Sequence, residues 1–285
     1  MKSAGKFAGR FAAIASMTAL LASPGLADGP FDDDDCKYTA ARRAVTPAAG
    51  ITKIVIHAEA GSLKVEGTHG ATQVAAAGTA CTSDEDFLPR MTLTLRKVGS
   101  ELHVTTEIPD KTVVFGFFSA RLDFTVTMPA GLPVSIEDGS GSIAVANAGP
   151  TSIEDGSGSI EVRNVRGALT INDSSGSIDV DTVAGNITID DGSGEITVKN
   201  VTGGVAIEDG SGAISIARAD SVHVRDDGSG AITVQNVRRD VTIDDDGSGS
   251  IDVADIGGNF TVGRKGSGSI DHARVAGRVD VPRGR

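Results

Sequence analysis

The sequence has no tryptophan, one tyrosine and nine phenylalanines, so aromatic residues make up only 4% of its 285 positions. Wide globular cores draw much of their buried area from large rings. Their scarcity, set against 37 glycines, points to a thin, repetitive β architecture. Basic residues are also short: 26 Lys and Arg face 38 Asp and Glu, a net charge of −12. That excludes nucleic acid as a partner, because phosphate binding needs a basic surface. There are only two cysteines, Cys36 and Cys81, and no Cys-x-x-Cys. Redox catalysis and zinc binding therefore have no basis. No apolar run reaches the roughly 20 residues that a membrane span requires.

The longest apolar run, Phe11 to Ala22, follows Lys2, Lys6 and Arg10 and precedes Ser23-Pro24-Gly25-Leu26-Ala27. A basic start, a short apolar stretch and a small-residue cleavage site read as a secretory signal peptide over residues 1–27. A retained membrane anchor is the competing reading. No cysteine stands at the cleavage site and no twin-arginine pair precedes the run, so neither lipoprotein anchoring nor twin-arginine export is indicated. The mature chain is expected to be exported, to the periplasm, the cell surface or the medium, with no transmembrane anchor. An exported chain with two cysteines suggests one disulfide, Cys36 to Cys81, with two free thiols as the alternative. The bridge closes a loop of about 45 residues, worth about 4 kcal/mol by chain entropy. The acidic run Asp32 to Asp35 before it reads as a solvated segment.

From residue 131 one unit returns eight times: acid-Asp-Gly-Ser-Gly-x-Ile-x-Val, then an Asn-Val corner and a second Val-x-Ile strand. Its aspartate falls at Asp138, Asp155, Asp173, Asp191, Asp209, Asp227 and Asp246, with Lys265 in the eighth copy. The period is 17 to 19 residues, and a fixed period of this length marks a solenoid or other repeat array. Ile160 and Val162 alternate around Glu161, and Leu169 and Ile171 around Thr170, which predicts two short strands per unit. Glycine, Asp and Asn at the joints supply the corners. One unit cannot bury its apolar face, but stacked units can. Three interior columns result: Ile143 to Ile270, Val145 to Val253, and Ile153 to Val262. A meander of hairpins explains the alternation but not the recurrence of one side chain every 18 residues.

The expected fold is all-β: a single-chain β-solenoid, β-helix or β-roll in kind, of about eight coils. The segment 28–130 is expected to form a non-repeating N-terminal β cap, and 131–285 the repeat solenoid. Eight coils at about 4.8 Å give a rod of roughly 38 Å. The cap is expected to cover the first coil, because an open edge recruits other chains.

The run Met128-Pro129-Ala130-Gly131-Leu132-Pro133, followed by repeated Gly-Ser-Gly-x-Ile-x-Val, resembles the bacterial toastrack or β-strand-repeat family. This is a putative-adhesin group long catalogued as a domain of unknown function. The similarity covers roughly residues 45 to 281. It implies a cell-envelope protein of stacked β-coils without known catalytic residues, with relatives in envelope-stress signalling. This chain departs from the pattern in its regular Asp-Gly-Ser-Gly ladder, so no functional residue is carried over.

The acidic ladder is the sharpest chemical feature. Carboxylates stacked about 4.8 Å apart repel by roughly 0.9 kcal/mol at water's dielectric. The expectation is that each Asp serves its turn while water screens the charge, with at most weak, millimolar calcium binding along Asp138 to Asp246. No Gly-Gly-x-Gly-x-Asp calcium nonapeptide is present. Arg264-Lys265 is expected to neutralise the ladder's end. Asn147, Asn164, Asn200 and Asn236 recur at another corner, a structural role. No Lys-Ser/Thr follows the glycine turns, no Gly-x-Ser-x-Gly elbow occurs, and the five histidines show no ligand spacing. Uniform coil length leaves no loop insertion to build a cleft, so no enzyme and no cofactor are expected. The exposed column from Ala144 to Asp271 is too mixed for an ice-binding face. Outside the array, Phe115, Phe117 and Phe118 are the densest aromatic cluster, either a contact patch or a cap contact. The leading function is adhesion or contact with an envelope or host-surface ligand. A periplasmic structural or signalling accessory is the alternative.

Overall fold

In the computed structural model, residues 36–109 and 118–282 are described. Two 12-stranded sheets face each other. Each repeat contributes one strand to each sheet, and successive repeats pair in parallel, so the chain winds as a β-solenoid. Ile160 pairs with Ile143 and Ile178, and Val162 with Val145 and Val180. On the opposite sheet Ile153 pairs with Ile136 and Ile171. The three interior columns are therefore real, and the members from Ile143 to Val262 are buried. Only the last coil opens: Ile270 is half-buried and His272, which follows Val253 in its column, is exposed.

A further coil precedes the repeats that the sequence displays. Strand Lys53–His57 pairs with Val134–Asp138, and strand Leu63–Thr68 with Ile143–Ala146. Its turn, Ala60-Gly61-Ser62-Leu63, is a degraded copy of the Gly-Ser-Gly-x-Ile corner. Strands Glu101–Glu107 and Ala120–Pro129 stack outside this coil, again in parallel. The end is then closed by antiparallel strands. Tyr38–Pro47 pairs with Gln73–Thr82, and Thr92–Val98 with Glu101–Glu107. Cys36 and Cys81 are disulfide-bonded, with Cα atoms 5.5 Å apart, and tie the outermost strand to its neighbour.

The glycine corner leaves no room for any other residue. A Cβ on Gly194 would lie 1.5 Å from the carbonyl oxygen of Gly176, and its φ is +149°. The same carbonyl-to-Cα approach repeats in every coil, so the Gly-Ser-Gly ladder is a packing requirement. The opposite corner uses the left-handed region: Asn147, Asn164, Asn200 and Asn236 have φ of 56–59°, which asparagine tolerates better than most residues. That residue drops out of the pairing: Arg163 pairs with Asp181, and the next pair is Val165 with Val183.

Phe260 is fully buried between Val241 and Val279 near the array's end. Elsewhere in the repeats the gap between sheets is filled mainly by Ile, Val and Leu, while the N-terminal strands add Phe124, Met91 and Met128. The aromatic shortage follows from the narrowness of that gap.

Candidate functional site

Along one edge of the second sheet, six strands carry two successive acids, and a seventh carries Asn172-Asp173. In Thr151–Asp155 the period of two places Ile153 and Asp155 inward and Glu154 outward. The ladder therefore splits into two columns. The outer one (Glu137, Glu154, Asn172, Asp190, Glu208, Asp226, Asp245) faces solvent. The inner one, Asp138 to Asp246, is at least nine-tenths buried, with Asp227 at 0% and Asp246 at 1% exposure.

This corrects the expectation of a water-screened ladder. Water's dielectric does not apply to the inner column, and at an effective value of about 20 the repulsion rises about fourfold. Four members are fixed by their own turn. The backbone N–H groups of Ser157, Ser175, Ser193 and Ser211 donate to Oδ1 of Asp155, Asp173, Asp191 and Asp209 at 3.1–3.3 Å. Their Oδ2 atoms are buried without a donor among the described residues.

Burial pushes these groups upward, and for Asp138, Asp155, Asp191 and Asp227 the neighbouring carboxylates add to it. Asp138 rises from 3.8 to about 7, with Asp155 as its charged neighbour. Asp227 rises to about 7, with Asp209 and Asp246 beside it. Asp191 rises to about 6 between Asp173 and Asp209. Asp155, Asp173 and Asp209 are raised in the same direction, burial being the first cause. A desolvated carboxylate favours its neutral form, and a like charge adds to that preference.

Lys265 closes the column as the sequence suggested. Its Nζ lies 2.6 Å from Asp246 Oδ2, and both side chains are buried. Arg264 pairs with the outer Asp245. An open concavity of about 410 Å³ lies at the column's other end, lined by Glu137, Asp138, Glu154, Asp155 and Asn172. Among the described residues no three Asp, Glu, His or Cys side chains form a metal-binding group.

The remaining singled-out residues do not join this site. Asn164 donates to Asn147 Oδ1 at 3.4 Å, and Asn200 to Asp181 Oδ1 at 2.6 Å, along the other corner. Asp181 is accordingly held below the usual carboxylate range, first by the Asn200 amide and then by Thr182. His57 contacts Glu137 at 2.8 Å and His223 contacts Asp244 at 2.7 Å, both on the surface. Phe118 packs with Phe87, ring centres 4.8 Å apart. Phe115 and Phe117 lie outside the described residues, as does the segment 1–27 read as a signal peptide. No helix among the described residues is long and apolar enough to cross a membrane.

One surface feature was missed in the sequence. Ser135, Ser152, Thr170 and Thr188 align on the outer face of the second sheet; Ala206 and His223 interrupt the column, and Thr242 and Thr261 resume it. The signal was present, because each precedes its inward Ile, or Val262 in the last case, by one residue.

The Toastrack DUF4097 family model matches residues 51–253. No curated protein matches the chain. Among solved structures, a "putative adhesin" from Parabacteroides distasonis ATCC 8503 is 16% identical. The match covers 82% of this chain and 97% of that one, with a TM-score of 0.52. A second structure from the same organism, a "putative lipid binding protein", is 17% identical, with 87% and 99% covered and a TM-score of 0.50. At such identities the likeness is one of fold.

Proposed function

The chain belongs to the toastrack family, and from that premise we propose that it is an exported, non-catalytic contact protein of the cell envelope, an adhesin in kind. The observation that carries this is the outer surface of the coils. From Val134 onward, strand follows strand with corners of a few residues and no inserted loop. The outer faces therefore present repeated side chains in straight rows about 4.8 Å apart. On the second sheet a hydroxyl row, interrupted at Ala206 and His223, runs beside the outer carboxylate row. Rows of weak, identical contacts suit an extended, repetitive partner, since avidity multiplies small affinities. The net charge of −12 favours a hydroxyl-rich or basic partner and repels acidic polymers.

The test is protease accessibility on intact cells, with a periplasmic marker as control. Digestion while the marker survives supports surface contact. Protection until the outer barrier is opened refutes the adhesin reading and favours a periplasmic accessory.

A further inference from the structure

The inner aspartate column is bounded at both ends. His57 pairs with Glu137, so Ala58 follows in register with Asp138. At the other end Lys265 stands in register with Asp246. Between them the turn interior offers acceptors and few donors. From Asp155 to Asp209 each Oδ2 is buried and unpartnered among the described residues, and Asp227 is fully buried with the Asp246 carboxyl beside it. A second acceptor row runs beside them. The carbonyl oxygens of Gly158, Gly176, Gly194, Gly212 and Gly230 point at the glycine Cα of the next coil. A carbonyl facing a Cα–H still has lone pairs to offer.

The eighth coil supplies a cation. Lys265 Nζ donates to Asp246 Oδ2 at 2.6 Å, to the Gly249 carbonyl at 2.7 Å and to the Ser267 carbonyl at 2.9 Å. One positive charge thus sits between the two acceptor rows. Strand register carries the same oxygens down the array. Below Asp227 they are Asp209 Oδ2 and the carbonyls of Gly212 and Ser229. In these intervals a carboxylate of the next coil stands where the lysine stem enters.

We propose that the intervals from Asp155 to Asp227 bind desolvated alkali or alkaline-earth cations, in the place that the Lys265 ammonium takes at the column's end. A donor set of carboxylate and carbonyl oxygens suits hard cations and not thiolate- or imidazole-seeking metals. Half of each site is backbone, which is why no cluster of three acidic side chains marks it. A cation between two carboxylates replaces a repulsion, strengthened by burial, with two attractions. The inference is independent of where the protein acts.

The experiment starts from metal-free protein in tetramethylammonium chloride, whose cation is too bulky for the turn. Calcium chloride or potassium chloride then replaces it at constant ionic strength. Bound metal is measured by elemental analysis after equilibrium dialysis, and stability by thermal melting. The expected result is at least one ion retained per chain, and a melting point about 5–10 °C higher at a hundredfold excess over Kd. The calcium and potassium arms separate divalent from monovalent binding. Asp190→Asn with Glu208→Gln, on the outer column, should retain the ion. Asp191→Asn with Asp209→Asn should lose most of it while keeping the β circular-dichroism spectrum. The wild-type dialysis decides even if those variants misfold: no retained metal in either arm overturns the proposal. Loss of binding in the outer variant alone overturns it as well.

Discussion

Replacing Asp191 with asparagine isolates the cost of a buried carboxylate in the middle of the column. The Oδ1 oxygen keeps its hydrogen bond from Ser193 N–H, 3.2 Å long in the parent. The unpartnered Oδ2 becomes an amide that can donate to a neighbouring acceptor. Burial lifts the parent carboxyl from 3.8 to about 6 in the folded chain. Its folded value lies above its unfolded one, so its contribution is complete below about pH 3.8 and is lost as pH rises through about 6. Two pH units correspond to about 3 kcal/mol. In tetramethylammonium buffer, Asp191→Asn should therefore match the parent near pH 3. It should exceed the parent by about 1–2 kcal/mol at pH 5 and by about 3 kcal/mol at pH 8. For a chain of this size that is about 6–12 °C in Tm at the alkaline end. Melting curves across pH 3 to 8 read it directly. An advantage that does not grow with pH, or a loss at every pH, would refute the reasoning.

Three further substitutions probe the remaining supports. Lys265→Met leaves Asp246 buried beside Asp227 without its cation and should cost about 3–5 kcal/mol in urea unfolding. Gly194→Ala should cost more than about 4 kcal/mol or prevent folding, because the new methyl overlaps the Gly176 carbonyl; near-parent expression and Tm would contradict the packing account. Thr182 is a β-branched residue at φ 64° in the corner column. Thr182→Asn should stabilise the chain by about 1 kcal/mol in the same unfolding assay, less whatever its hydroxyl contact with Asp181 contributes.

Much of the fold was legible because repetition amplifies a weak signal. A single Ile-x-Val is ambiguous, but Ile143, Ile160, Ile178 and their successors at a near-constant step admit one stacked arrangement. The same count placed the corners and showed that Lys265 breaks the acidic series. The coil at Lys53–Thr68 escaped because Gly61-Ser62-Leu63 keeps only part of the motif and Ala58 replaces the aspartate. The strand order of the cap could not be read at all. Glu101–Glu107 and Ala120–Pro129 stack outside a coil that precedes them in sequence, and only three-dimensional pairing energy selects that order.

The sequence by itself determined the solenoid, its two strands per coil and the chemical identity of each column, because period and alternation are properties of the chain. The tertiary structure decided what the aspartates are. Alternation from Ile153 pointed Asp155 inward, but its burial depends on the coil above and the coil below closing over the turn. Only the stack removes water from seven carboxylates, sets an acceptor row of glycine carbonyls beside them, and brings Lys265, 19 residues beyond Asp246, to within 2.6 Å of it.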